Sequence, residues 1–230
     1  MSKNVVYKII DNFLTKSYHK EILDTLSDAN FPWYYNDNIS KRDLNGGSPY
    51  ESGFSHIFVN RFSGGQRDTF YATFMKPMFH QIMDCVGADS IVRGRADMTM
   101  ATPNNYEHAP HVDFSFKNIA TVFYVNNSDG DTVFYENKKH LEGDVFNRKD
   151  LKIIDRVSPK PNRLVIFDGH SPHTGCSPKK YKNRILINSN YEKNDGTKVY
   201  GYDFIAESVL FPPEKKQNKT ELKESEFPLV

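Results

Sequence analysis

A mainly β domain of the sandwich or jelly-roll kind, with supporting helices, is the fold class this sequence predicts. Two observations carry that expectation. After Ile91 the chain breaks into short segments of β-branched and aromatic residues. Turn residues, such as Ser128-Asp129-Gly130-Asp131, separate these segments. Many short strands with regular turn signals suggest two packed sheets.

The elements follow in order. Residues 4–10, N-V-V-Y-K-I-I, read as a first strand. Thr15 can cap a helix from Lys16 to Ser27, where Tyr18, Ile22, Leu23 and Leu26 recur at helical spacing. Phe31 to Tyr35 looks extended, and 40–55 is rich in Gly, Ser, Asn and Asp and reads as a loop. Its length makes it a candidate lid. His56 to Phe62 reads as a strand and Thr69 to Val86 as a helix. Pro77 inside that helix predicts a kink or two shorter helices, because proline removes a backbone donor and crowds the preceding turn. The later strands are expected at 91–101, 109–113, 119–126, 132–135, 151–157, 163–167 and 184–191, with a last one at 202–210. One domain over 1–212 is the expectation, followed by a charged and poorly ordered tail at 213–230.

Composition excludes several function classes. The chain has 230 residues, and its 30 Lys plus Arg nearly balance 29 Asp plus Glu, so no overall field selects nucleic acid or a membrane surface. Cys85 and Cys176 lie far apart and in no zinc or redox spacing. No apolar run is long enough to span a bilayer, and the N-terminus does not read as a secretory leader. A soluble, cytoplasmic protein is expected.

The chemistry is expected in two windows. His111-Val112-Asp113 places an imidazole and a carboxylate at i and i+2, which face the same way on a strand. The second window is F-D-G-H-S-P-H-T-G at 167–175, followed by the strand R-I-L-I-N-S-N-Y opening at Arg184. Two imidazoles and one carboxylate form the facial triad of non-haem Fe(II) sites, with open positions for co-substrate and oxygen. His111, Asp113 and His173 are the predicted ligands. His170 competes with His173 but lies beside Asp168, with which it can pair, and His108 reads as a loop residue next to the site. Of the eight histidines, His19, His56, His80 and His140 have no chemical partner nearby in sequence.

Arg184 stands in an otherwise apolar strand, where an unpaired guanidinium is costly. It needs an anion, and its fork suits the distal carboxylate of a dicarboxylic co-substrate. A structural pair with a neighbouring Asp or Glu is the alternative. Leu186, Asn188 and Asn190 share its face, which makes Asn188 a candidate polar neighbour of that co-substrate. Tyr124 and Thr132, on flanking strands, are candidate hydroxyl donors to it or core residues.

From Asp11 to Tyr191 the sequence resembles the Fe(II)- and 2-oxoglutarate-dependent dioxygenases of the prolyl 4-hydroxylase-like type, most of all the small versions found in phages and marine bacteria. The resemblance rests on F-P-W-Y-Y at 31–35, H-V-D-F at 111–114, T-V-F-Y-V-N at 121–126 and D-G-D-T-V-F-Y at 129–135. It continues through N-R-L-V-I-F-D-G at 162–169, P-H-T-G at 172–175 and N-R-I-L-I-N-S-N-Y at 183–191. It implies a double-stranded β-helix (a cupin-like jelly roll) with helices packed on one sheet. It also implies iron ligands at His111, Asp113 and His173, and a 2-oxoglutarate arginine at Arg184. The tyrosine that assists 2-oxoglutarate in the oxygen-sensing members falls at Phe123, on the opposite face from Tyr124. Fe(II) is the implied metal, 2-oxoglutarate and O2 the co-substrates, and ascorbate an optional further reductant. The implied reaction hydroxylates an unactivated C–H of a prolyl, peptidyl or small-molecule substrate, releasing succinate and CO2. If phage-encoded, the enzyme would work in the host cytoplasm.

Two other readings compete. One is a catalytically idle jelly roll used for binding. The other is a nucleic-acid base oxygenase with the same chemistry, for which Lys138, Lys139, Arg148 and Lys149 would supply a basic rim. Specificity would reside in loops at about 36–55 and 136–150.

Overall fold

The computed structural model describes residues 7–40, 48–61, 70–136 and 146–193. The expected strand at 202–210, the tail at 213–230, and Lys138 and Lys139 lie outside the described residues. The elements run β1 (Tyr7–Asp11), α1 (Lys16–Ser27), β2 (Tyr34–Asn36), β3 (Gly53–Asn60), α2 (Phe70–Val86), β4 (Ser90–Met100), β5 (Ile119–Tyr124), β6 (Thr132–Tyr135), β7 (Ile153–Val157), β8 (Arg163–Asp168), β9 (His173–Gly175) and β10 (Asn183–Glu192). They form a seven-stranded sheet in the order β1-β8-β5-β10-β4-β3-β2 and a three-stranded sheet β7-β6-β9. Every pairing is antiparallel. Two antiparallel sheets face to face, with helices on the far side of one, make the double-stranded β-helix that the sequence implies.

Strand alternation divides the large sheet into two faces. Phe123, Leu164, Ile166, Ile185, Ile187 and Ala96 point outward and pack with Ile22 and Leu26 of α1 and Met75, Met78 and Ile82 of α2. The opposite face carries Ala120, Val122, Tyr124, Val165, Phe167 and Leu186, which pack against Phe134 and Val157 of the small sheet. The helix layer thus buttresses the sheet, and the space between the sheets is left for the site.

Thr15 caps α1, its Oγ1 accepting from the Tyr18 amide at 3.4 Å. The Tyr18 hydroxyl donates to the Phe74 carbonyl at 2.8 Å and ties α1 to α2. Of the two outcomes expected at Pro77, the division into two shorter helices does not occur, and α2 is one helix from Phe70 to Val86. Burial of Ala72, Met75, Met78, Phe79, Ile82 and Val86 holds it against the roughly 3 kcal/mol that an interior proline costs.

Two other expectations change. β3 begins at Gly53, so the presumed loop is shorter than 40–55, and residues 41–47 lie outside the described residues. No regular strand covers 109–113. His111 instead meets His173 through one isolated antiparallel bridge, because Pro110 has no N–H for a ladder and the chain turns away after Asp113.

Candidate metal centre

The bridge between His111 and His173 consists of two backbone hydrogen bonds, each amide donating to the other's carbonyl at 3.0 Å. It places the imidazoles side by side, with ring centroids 4.8 Å apart. Both rings are oriented in the same way. Nδ1 of His111 lies 3.0 Å from the Ala109 carbonyl, and Nδ1 of His173 lies 3.0 Å from the Ser171 carbonyl. A carbonyl oxygen only accepts, so each Nδ1 carries the proton and each Nε2 keeps a lone pair. That is the tautomer a metal requires, fixed in advance by the backbone. Phe167 packs edge-on against His173, with centroids 4.8 Å apart, and dries its far side.

Asp113 completes the group. Ligand atoms of His111, Asp113 and His173 all lie within 4.8 Å of one another. Burial alone would raise the Asp113 pKa, but the Arg93 guanidinium, with a hydrogen bond from Asn190, holds it well below the usual carboxylate range. Arg93 Nη2 donates to Asp113 Oδ1 at 2.6 Å, and Asn190 Nδ2 donates to Oδ2 at 2.9 Å. The donor set fits a ferrous ion: two neutral imidazoles and an ionised carboxylate are the three-ligand set that leaves coordination positions for other ligands. His170 is not part of it. Its Nε2 faces the Ser115 carbonyl at 3.2 Å, and its backbone amide donates to Asp168 Oδ1 at 2.9 Å. His108 is buried away from the ligands, with Nε2 2.9 Å from Ser177 Oγ and Nδ1 facing Glu51.

Arg184 also points between the sheets and is only 5% exposed. Among the described residues it has no carboxylate partner, so the structural ion pair considered from sequence is not there. Its Nη2 donates to Thr132 Oγ1 at 2.9 Å, and its buried Nε has no hydrogen-bond partner. Thr132 Oγ1 lies 2.6 Å from the Tyr124 hydroxyl, which donates to the Val157 carbonyl at 3.2 Å. One consistent set of protons runs from the guanidinium to threonine, from threonine to tyrosine, and from tyrosine to the backbone. The Tyr124 ring also lies under the guanidinium, 5.5 Å from Cζ to the centroid. A buried cation with an orphaned donor suits a carboxylate brought in from solution.

Three expectations are refined. Tyr124 shares the Arg184 face, whereas Phe123 packs in the helix layer, so the tyrosine nearest the guanidinium is Tyr124. Asn188 does not contact Arg184. It accepts from Arg93 at 3.1 Å, and its Nδ2 sits 3.5 Å from Asp113 Oδ2. Arg148 is not a free rim cation, since it donates to the Glu107 and His108 carbonyls.

Arg93, Arg95 and Asp97 carry no role in the sequence pattern read above, and Asn190 enters there only as a residue on the Arg184 face. R-G-R-A-D at 93–97 alternates charge with small residues, and such a strand has one charged face and one closely packed face. The register confirms it: Arg93, Arg95 and Asp97 lie opposite Asn190, Asn188 and Leu186 of β10.

The family described as the 2OG-Fe(II) oxygenase superfamily matches residues 98–192, which span both windows and Arg184. Among curated proteins none matches. A Pseudomonas putida prolyl-4-hydroxylase superposes with a TM-score of 0.50 at 12% identity, covering 82% of this chain and 94% of that one. A prolyl hydroxylase from Trichoplax adhaerens, solved with a hypoxia inducible factor oxygen degradation domain peptide fragment, gives 0.50 at 16% identity, covering 81% and 83%. The epimerase SnoN of nogalamycin biosynthesis, solved with Fe3+, alpha ketoglutarate and nogalamycin RO, gives 0.57 at 10% identity, covering 83% and 80%.

Proposed function

We propose that this chain is a 2OG-Fe(II) oxygenase, as the family match over residues 98–192 supports, and that it hydroxylates an unactivated C–H of a peptidyl or small-molecule substrate. His111, Asp113 and His173 would hold Fe(II), and Arg184 would hold the distal carboxylate of 2-oxoglutarate. When bound, the metal with 2-oxoglutarate and O2 would supply the oxidant for removing hydrogen from carbon, with succinate and CO2 as co-products.

The protein's own residues have three tasks. The Ala109 and Ser171 carbonyls hold both imidazoles in the metal-binding tautomer. Arg93 and Asn190 keep Asp113 ionised and aimed. Thr132 and Tyr124 set the Arg184 fork, and Leu186, Val122 and Phe134 keep the surrounding space dry. In that low-polarity space a charge-assisted pair with a dicarboxylate is strong.

The observation that carries this reading is Arg184. A buried guanidinium with no carboxylate partner among the described residues, on the face that carries the metal-ligand cluster, serves no purpose in an idle jelly roll. The test is succinate formation that requires both Fe(II) and 2-oxoglutarate. It is paired with a thermal shift caused by 2-oxoglutarate plus Mn(II) that disappears in Arg184→Ala. Absence of both signals in the wild-type protein refutes the reading. Mass spectrometry of proline-containing peptides and free amino acids, scored for addition of one oxygen, then seeks the substrate.

A further inference from the structure

We propose that Arg93 and Arg95, side by side on the inner face of β4, anchor a carboxylate carried by the substrate. This deepens the oxygenase reading above and rests on it.

β4 pairs with β10 on the edge opposite β5, and Arg93 and Arg95 stand across from Asn190 and Asn188, six and four residues along β10 from Arg184. The co-substrate arginine therefore lies towards one end of this strand pair, and Arg93 and Arg95 lie towards the other. Arg95 is paired with Asp97, Nε to Oδ1 at 2.7 Å and Nη2 to Oδ2 at 3.0 Å, and its Nη2 also faces the Ile39 carbonyl at 3.4 Å. Arg93 uses Nη2 alone for Asp113, Asn188 and Asn190. Its Nε is buried with no hydrogen-bond partner. Among the described residues neither arginine uses its Nη1 in a hydrogen bond. Both side chains keep some exposure, 16% for Arg93 and 24% for Arg95, within a wall that is otherwise buried. Donors are thus available on a surface that solute can reach.

Charge balance says what those donors are for. On this wall Arg93 is matched by Asp113 and Arg95 by Asp97. Asp113 is also the only carboxylate in the candidate metal cluster. A divalent ion there, with dianionic 2-oxoglutarate on Arg184, leaves the surroundings one positive charge in excess, and that excess falls on Arg93. Like charges two residues apart on one strand face sit about 7 Å apart, close enough for a single planar anion to bridge them. A substrate carboxylate restores neutrality in a low-dielectric site, whereas a neutral substrate leaves the excess uncompensated. The Arg93 guanidinium also lies over the Phe114 ring, with Cζ 4.8 Å from the centroid, which fixes the plane it presents.

The test does not require the natural substrate. Protein in excess over Mn(II), with saturating 2-oxoglutarate, is mixed with propionate or with propanamide, which has the same shape but no charge. Proton relaxation of each probe by the manganese is then read by NMR. Propionate should relax at least about fivefold faster than propanamide, with Arg95→Gln and Arg93→Gln each reducing that preference and Arg95→Lys keeping part of it. Equal relaxation of the two probes by the wild-type protein, or an undiminished preference in the Arg95→Gln and Arg93→Gln double variant, overturns the proposal. The Mn(II) and 2-oxoglutarate thermal shift is recorded on the same samples. If it is present, such a result removes only the arginine pair; if it is absent from the wild type, the oxygenase reading falls as well.

Discussion

Gly175 has no room for a methyl group. A Cβ built there would stand 2.8 Å from Nη1 of Arg184 and 3.4 Å from Cζ and Nη2. Ordinary contact needs about 3.6 Å, so Gly175→Ala must push the end of the guanidinium by nearly 1 Å. The displaced atoms are the far end of a flexible side chain, so the fold should lose less than about 1 kcal/mol. Co-substrate binding should suffer much more, because a paired charge-assisted hydrogen bond contributes about 1.5–3 kcal/mol and tolerates little misalignment. The expected result is 2-oxoglutarate binding weaker by about 10- to 100-fold, measured by calorimetry on the Mn(II)-loaded protein, with an unchanged ligand-free melting temperature. Gly130→Ala is the contrast. Its Cβ would meet the Cys176 carbonyl oxygen at 2.2 Å, which is backbone and cannot swing aside, so that variant should lose stability outright. Wild-type affinity for 2-oxoglutarate in Gly175→Ala would refute the assignment of Arg184 as the co-substrate anchor.

Other predictions concern the scaffold. In Gly94→Ala the new Cβ would stand 2.6 Å from the Phe79 ring, where α2 rests on β4, and overpacking should cost about 1–3 kcal/mol in chemical denaturation. Asn162 is buried at φ 63°, accepts from the Leu14 amide and donates to the Leu14 carbonyl, both at 2.8 Å. Asn162→Ala should destabilise by about 2–4 kcal/mol, more than Asn162→Gly, since alanine adds left-handed strain to the lost bonds. The Asp11 carboxyl is held far below its usual range by hydrogen bonds from Arg163 and Lys160. A depressed pKa stabilises the fold above about pH 4 and loses that contribution as pH falls further. Wild type should therefore exceed Asp11→Asn by no more than about 1 kcal/mol at pH 7, given the exposure of the pair, and the gap should close towards pH 2. A gap that is constant with pH would remove the ionic explanation.

Much of this architecture was legible in the sequence where one local signal sufficed. α1 begins at the Thr15 cap and runs over the range the periodicity marks, and β6 occupies the expected four residues. The double-stranded β-helix and the grouping of His111, Asp113 and His173 also emerge as read. What failed depended on tertiary context. Pro77 stays inside α2 because six buried neighbours outweigh it. Residues 109–113 read as a strand from their alternation, yet only His111 finds a pairing partner, a fact set by a segment far along the chain. Asn188 shared a face with Arg184 in the alternation but stands beside Asp113, since position along the strand separates them. The charged face of β4 was visible in R-G-R-A-D, but its direction toward the metal cluster required the β10 register.

The two halves of the ligand set meet along a short main-chain seam, in which His111 bridges His173, the His108 amide donates to the Gly175 carbonyl and Glu107 bridges Cys176. The seam is made of isolated bridges rather than a continuous ladder, so the rim at 109–113 can loosen more easily than the sheets it joins. An ion gripped from both sides would lock that rim shut. Amides around His111 and His173 should then exchange with solvent far more slowly in the charged holoprotein than in the metal-free chain, while those of β5 and β10 stay equally slow in both.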